Sequence, residues 1–173
     1  MGGKTPKEAA DRFIDYFRES LSCLSSDFVS AYQQTPKFYK IYYDPYLTVP
    51  AKNDVSYGVS ITQAFRTVFD SEKEEYKART QEYSYVLLVE DCTTEIVSYH
   101  WHPNDPGVKY PHLHIPGQRT HFPTSRVCLE DFINMLFRDF DVKRNLSHAE
   151  CKRILDKNKR AFEKSATWKV QNP

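Results

Sequence analysis

Glycine is scarce in this chain, 5 among 173 residues, and the scarcity removes whole classes of chemistry. A Gly-rich phosphate loop cannot be assembled at the required spacing, and there is no G-x-S-x-G nucleophile elbow. Cysteine is rarer still. Cys23, Cys92, Cys128 and Cys151 are widely scattered and none forms C-x-x-C. They read as reduced thiols of a cytoplasmic protein rather than as a disulfide framework or a zinc knuckle. No apolar run approaches the roughly 18 to 20 residues of a membrane span, and the N-terminus carries no signal-peptide hydrophobic region. A membrane is therefore not an expected partner. Net charge is lacking too: 24 Lys and Arg against 23 Asp and Glu leave +1. Bulk electrostatics does not mark a nucleic-acid binder, so any such contact needs a local patch. Internal repeats and low-complexity segments are also missing.

Aromatic residues are plentiful, with 12 Tyr and 11 Phe, which suits a β-rich core with tyrosines at its edges. The length allows one domain over residues 1–173 with a substantial core. Thr5-Pro6-Lys7-Glu8 is a helix start, and Ala10, Phe13, Phe17, Leu21 and Leu24 then recur at three and four. This predicts an N-terminal amphipathic helix over about 5–24. The less regular run from Asp27 to Pro36 suggests a short helix before Gln33. Alternation over Lys37 to Tyr43, Tyr57 to Phe69 and Tyr76 to Glu90 predicts strands. Asp91 to Thr94 turns the chain into a further strand from Ile96. After Phe122-Pro123-Thr124-Ser125 the period changes: Leu129, Phe132, Ile133, Leu136, Phe137 and Phe140 predict a helix, and Ser147-His148-Ala149-Glu150 caps another. The basic run Lys152 to Lys164 is broken by Asp156 and Glu163 and reads as a solvated helix face. Trp168 is expected to anchor the tail. The fold class is α+β: an antiparallel β-meander of four to six strands over 37–115. Helices, including two at 128–164, pack on one face, and a histidine-lined cleft occupies the other.

Five of the six histidines lie between Ile96 and His121: His100, His102, His112, His114 and His121. Ile96 to His102 and Tyr110 to Ile115 read as the two arms of a hairpin, with Asn104-Asp105-Pro106-Gly107 as the reversal. Strand side chains alternate. His100 and His102 therefore share one face against Tyr99 and Trp101, and His112 and His114 share one face against Leu113 and Ile115. If Trp101, Leu113 and Ile115 enter the core, all four imidazoles converge on the other side when His100 stands opposite His112. A slip of one residue would bury half of the rings.

Four imidazoles on one face fit three arrangements. One is a solvated sheet face. Another is a metal site in which His112 and His114 form a His-x-His pair and His121 is a third ligand, with a position left open; the metal would be a divalent ion such as zinc. The third is acid–base chemistry on a phosphodiester by His100, His102, His112 and His114 without a metal, with Arg119 or Arg126 holding the phosphate. Lys109 is better read as solvated surface. Cys92 and Cys128 could each be a nucleophile near a histidine, but a buried structural thiol is the commoner case.

Tyr83-Ser84-Tyr85, Tyr99-His100-Trp101-His102-Pro103 and Tyr110-Pro111-His112-Leu113-His114 together resemble the TumE-type family of small bacterial toxins. The resemblance covers about Tyr76 to Phe140. His102-Pro103 matches the family's first His-Pro element. His112 and His114 match its Pro-His-x-x-His region with one residue fewer. Val97-Ser98-Tyr99-His100 stands where the family has arginine-tyrosine-aspartate-asparagine, and the N-terminal and C-terminal helices are additional. The resemblance implies the toxin of a two-gene pair, neutralised by a DNA-binding antitoxin protein. The function expected from residues and resemblance together is toxin-like cleavage of a phosphodiester, RNA above all, as by a ribonuclease. The alternative is a non-catalytic module that binds a metal or a partner through the histidine hairpin.

Overall fold

The computed structural model describes residues 2–27, 29–35, 37–43, 46–89, 94–104, 106–117 and 120–165. Helix α1 (Pro6–Leu21) starts where the sequence places it. Thr5 is extended, its hydroxyl accepts the Glu8 N–H at 3.2 Å, and Pro6 opens the first turn. Ala9, Ala10, Phe13, Phe17 and Leu21 are its buried face. Helices α2 (Leu129–Asp139) and α3 (His148–Ser165) follow at the other end of the chain. His148 is exposed in the first turn of α3.

Between them, and just before α1, nine strands form one antiparallel sheet: β1 (Gly2–Gly3), β2 (Ser30–Thr35), β3 (Phe38–Tyr42), β4 (Leu47–Pro50), β5 (Ser56–Asp70), β6 (Glu75–Leu88), β7 (Glu95–Trp101), β8 (His112–His114) and β9 (Phe122–Pro123). The spatial order is β2-β3-β5-β6-β7-β8-β9, with β1 on β6 and β4 on β5. The class is α+β as expected, but the sheet is wider than four to six strands. The arm read at Tyr110 to Ile115 is present, shortened to β8; β1, β4 and β9, of two to four residues, carry too little sequence for alternation to show. The run before Gln33 is not a helix: Ser30–Thr35 is a strand held at the sheet edge by its pairing with β3. It is largely exposed, so it lacks the apolar period that would have marked it. Between β4 and β5 the chain reverses through Asn53 and Asp54, both at φ 58°, left-handed positions that short polar side chains tolerate. The expected turn at Asp91 and the anchoring Trp168 lie outside the described residues.

The helices pack on one face of the sheet. Phe13 of α1 meets Phe65 of β5 at 4.5 Å between ring centroids, and Phe132 of α2 meets Tyr85 of β6 at 5.5 Å. Val59, Ile61, Gln63, Phe65 and Thr67 of β5, every second residue, are all buried on the helix side, as alternation requires; Gly58 and Ala64, of the other parity, are buried too. Gln63 is satisfied inside the core: it accepts from the Tyr85 hydroxyl and donates to Thr80 Oγ1 at 3.0 Å. On the histidine strands the expected core is corrected. Trp101 is buried, but Ile115 is 43% exposed and Leu113 is half-buried and outside the core. Strand β8 ends at His114, so no regular sheet carries Ile115 under a helix.

Glu130 in the first turn of α2 is buried and accepts from the Ser20 hydroxyl at 2.7 Å. Burial raises its carboxyl above the usual 4.5, and the Ser20 bond opposes the rise. The folded state thus holds this proton more tightly than the unfolded chain. Its stabilising effect is complete below pH 4.5 and is lost as pH rises. Glu130→Gln keeps the acceptor and removes the buried charge. Urea unfolding at pH 7.5 is expected to show a gain of about 1 kcal/mol, and the gain should vanish at pH 4.

Candidate metal centre

Strands β7 and β8 pair with His100 opposite His112 and Ser98 opposite His114, a register in which every histidine of the two arms takes one face. Tyr99, between them, touches Phe132 and Met135 on the helix side, so the histidine face is the one turned away from the helices. Strand β9 then sets Phe122 opposite Leu113 and Pro123 opposite His112, which carries His121 up beside His114.

The five rings form one cluster. Centroid separations are 4.4 Å for His114–His121, 4.8 Å for His112–His121 and 4.9 Å for His112–His114. One nitrogen from each of His112, His114 and His121 lies within 4.8 Å of the others. Three imidazole nitrogens about 2.0 Å from a tetrahedral ion stand about 3.3 Å apart, so closure around an ion needs a shift of about 1.5 Å at most. His112 is preset for ligation. Its Nδ1 lies 2.8 Å from the Tyr110 carbonyl oxygen, which only accepts, so the proton is on Nδ1 and the Nε2 lone pair is free. His100 lies 4.8 Å from His114 and 5.8 Å from His112. Its Nδ1 is 3.2 Å from Nε2 of His102, and His102 in turn is 4.0 Å from the Glu82 carboxylate.

Burial and mutual repulsion favour the neutral form of His100, His112 and His114. Burial first, then the neighbouring imidazoles, pushes His100 down to about 4. His112 is lowered by burial against the help of the Tyr110 carbonyl, and His114 by burial and by His112 and His121 against the pull of Glu95. Neutral imidazole is the ligand form. The depressed pKa of His100 has a stability consequence. As pH falls the unfolded chain takes up its proton first, near 6.5, so this contribution is intact above pH 6.5 and is lost on the way down to about 4. Full burial would make it about 3 kcal/mol, and solvent around a half-buried ring reduces that to about half. Urea unfolding of metal-free protein at pH 7.5 and pH 4 should show this loss, and His100→Gln should flatten it.

Other residues of the chain stand elsewhere. Arg126 lies over the Trp101 ring at 3.5 Å, on the face opposite to His100 and His102, and so does not converge with the histidines. Arg119 and Cys92 lie outside the described residues. Lys109 is exposed. Cys23, Cys128 and Cys151 are free and buried. Burial raises the Cys128 thiol far above its ordinary value, the opposite of what a nucleophile requires. Glu82 and the Tyr110 carbonyl were not visible as site groups, because a backbone acceptor has no side-chain signature and Glu82 reaches the site only through the β6–β7 pairing. A small cavity lies on the other, helix-covered face among Phe13, Phe17, Tyr85 and Asn158 and contains none of the histidines. No helix among the described residues is long and apolar enough to cross a membrane.

No protein-family model matches the chain, and neither a curated protein nor a solved structure matches it.

Proposed function

We propose that His112, His114 and His121 hold one divalent transition metal, zinc above all, and that the centre hydrolyses a phosphodiester. The observation that carries this is the approach of three imidazole nitrogens to within 4.8 Å of one another. An all-imidazole set suits zinc, copper, iron or nickel rather than magnesium or calcium. Three protein ligands leave a tetrahedral ion one further position, the arrangement of hydrolytic rather than structural zinc. Bound there, the metal supplies a Lewis acid for a phosphoryl oxygen. His100, hydrogen-bonded to His102 beside the ligand set, is the nearest group for moving a proton.

The metal-free alternative needs one ring protonated near neutrality to act as general acid. The depressed pKa values of His100, His112 and His114 suit ligands better. RNA as the substrate rests on the sequence reading of the histidines and arginines together with the resemblance, and an antitoxin protein as partner on the resemblance alone. The test is cleavage of single-stranded RNA by zinc-loaded and chelator-treated protein. Cleavage lost with the chelator and restored by zinc is the expected result. Cleavage indifferent to chelation would return the chemistry to free histidines. Stoichiometric zinc without cleavage would make the chain a non-catalytic metal-binding module.

A further inference from the structure

The sheet face that carries the histidines extends well beyond them. Residues opposite one another across the strands form a continuous row: Tyr42 with Thr62, Thr62 with Ser84, Ser84 with His100, and His100 with His112. A second row runs Lys40, Ala64, Glu82, and a third Phe38, Arg66, Arg79. At about 4.8 Å per strand the first row spans about 19 Å from β3 to β8.

Three cations stand in this field. Arg66 and Arg79 are exposed and directly opposed, a pairing that like charges disfavour. Among the described residues Lys40, Arg66 and Arg79 have no carboxylate partner. Of the acids nearby, Asp70 is paired with Lys77 at 2.8 Å, and Glu82, in the second row, lies 4.0 Å from the His102 ring rather than against any of the three cations. Arg79 reaches this face only through the β5–β6 register shift between Ala64 and Phe65. Without the extra residue at Gln81 it would point to the helices with Tyr83 and Tyr85. Aromatic rings border the cations. Phe38 and Tyr42 lie on the same face, and Tyr32, opposite Lys40 and 42% exposed, meets Tyr42 edge-on at 5.8 Å. At the other end Tyr110 is 46% exposed beside His112.

We propose that this face binds a single-stranded nucleic acid, laid from Tyr32 and Lys40 across Arg66 and Arg79 to the histidine centre. Cations without carboxylate partners match phosphates, and exposed rings match unstacked bases. A duplex keeps its bases stacked and offers the rings nothing, which favours a single strand. The row is long enough for a segment of about four nucleotides. Its meaning as a substrate track rests on the phosphodiester reading above, but binding does not require the metal.

The test is fluorescence anisotropy of a labelled oligouridylate of about twelve nucleotides with chelator-treated protein, so that cleavage does not intervene. Three phosphate contacts predict a slope of log affinity on log salt of about −2, or about a twentyfold loss between 50 and 200 mM salt. Arg66→Ala/Arg79→Ala, confirmed as folded by circular dichroism, should weaken binding at least tenfold and bring the slope to about −0.7. Arg153→Ala/Arg160→Ala on the basic face of α3 should change neither. An oligothymidylate binding equally well would make the face a single-strand site that does not distinguish RNA from DNA; preference for the oligouridylate would make it an RNA site. Equal affinity for a duplex, an unchanged slope in the Arg66/Arg79 variant, loss of binding in the α3 variant instead, or no binding by the wild type would each overturn the proposal. Zinc stoichiometry, measured separately, should be intact in the Arg66/Arg79 variant. The metal site can therefore fail while this face stands, and the reverse.

Discussion

His112→Ala lowers zinc affinity by more than a hundredfold, as measured by competition with a chelating indicator; that is the largest change expected from any single substitution. Loss of a group that only orients a ligand already costs about ten- to a hundredfold, and His112 is itself a ligand, with its Nε2 freed by the Tyr110 carbonyl. His121→Ala, at a half-buried ring, should do the same with less effect on packing. His148→Ala, exposed on α3, should do nothing. The same site makes stability depend on zinc. At a free zinc concentration one hundred times the dissociation constant, the wild type gains about 2.7 kcal/mol, or a thermal midpoint higher by about 5 to 10 °C. The gain should be missing in His112→Ala and His121→Ala. A midpoint that rises equally in all three proteins would mean that zinc binds elsewhere.

Phe132→Ala is expected to destabilise the fold by about 3 to 5 kcal/mol, a large share of the roughly 5 to 15 kcal/mol that holds a domain together. Phe132 is fully buried. Its ring packs 5.5 Å from Tyr85 and 6.4 Å edge-on from Tyr99, so it joins α2 to β6 and β7. Tyr99 lies between Ser98 and His100 on the strand that presents the histidines, with its side chain on the opposite face. The substitution should therefore weaken zinc binding indirectly, by loosening the support behind His100 and its partner His112. Urea unfolding measures the first effect and indicator competition the second. Ile115→Ala is the contrast. At 43% exposure it should change stability by less than about 0.5 kcal/mol, whereas a core position would lose about 2 to 5 kcal/mol.

Local patterns in the sequence determined much of this protein. Alternation assigns side chains to faces without knowledge of neighbours, so the grouping of His100 with His102, and of His112 with His114, was legible from the chain. The facing of the two arms was legible too: pairings that differ by two residues all keep the four rings together, and the one with His100 opposite His112 is the one formed. The helix starts at Thr5 and Ser147 were legible because capping is chemistry between residues three apart. The tertiary structure decided what depends on distant pairing. Strands as short as β1 and β9 exist only because a neighbour holds them, so no period announces them, and the arm read at Tyr110 to Ile115 forms a strand only over His112–His114. Ile115 was expected inside by alternation and lies outside because the strand ends before it. Arg126 is near the histidines in sequence and on the other side of the sheet, since Trp101, under its guanidinium, faces away from them. Lys40, Arg66 and Arg79 are dispersed in a nearly neutral sequence. They share one face because β3, β5 and β6 lie side by side and one extra residue at Gln81 reverses the facing of the strand before it. Facing is a property of adjacent residues, but which strands become neighbours is settled by the burial and hydrogen bonding of the whole sheet.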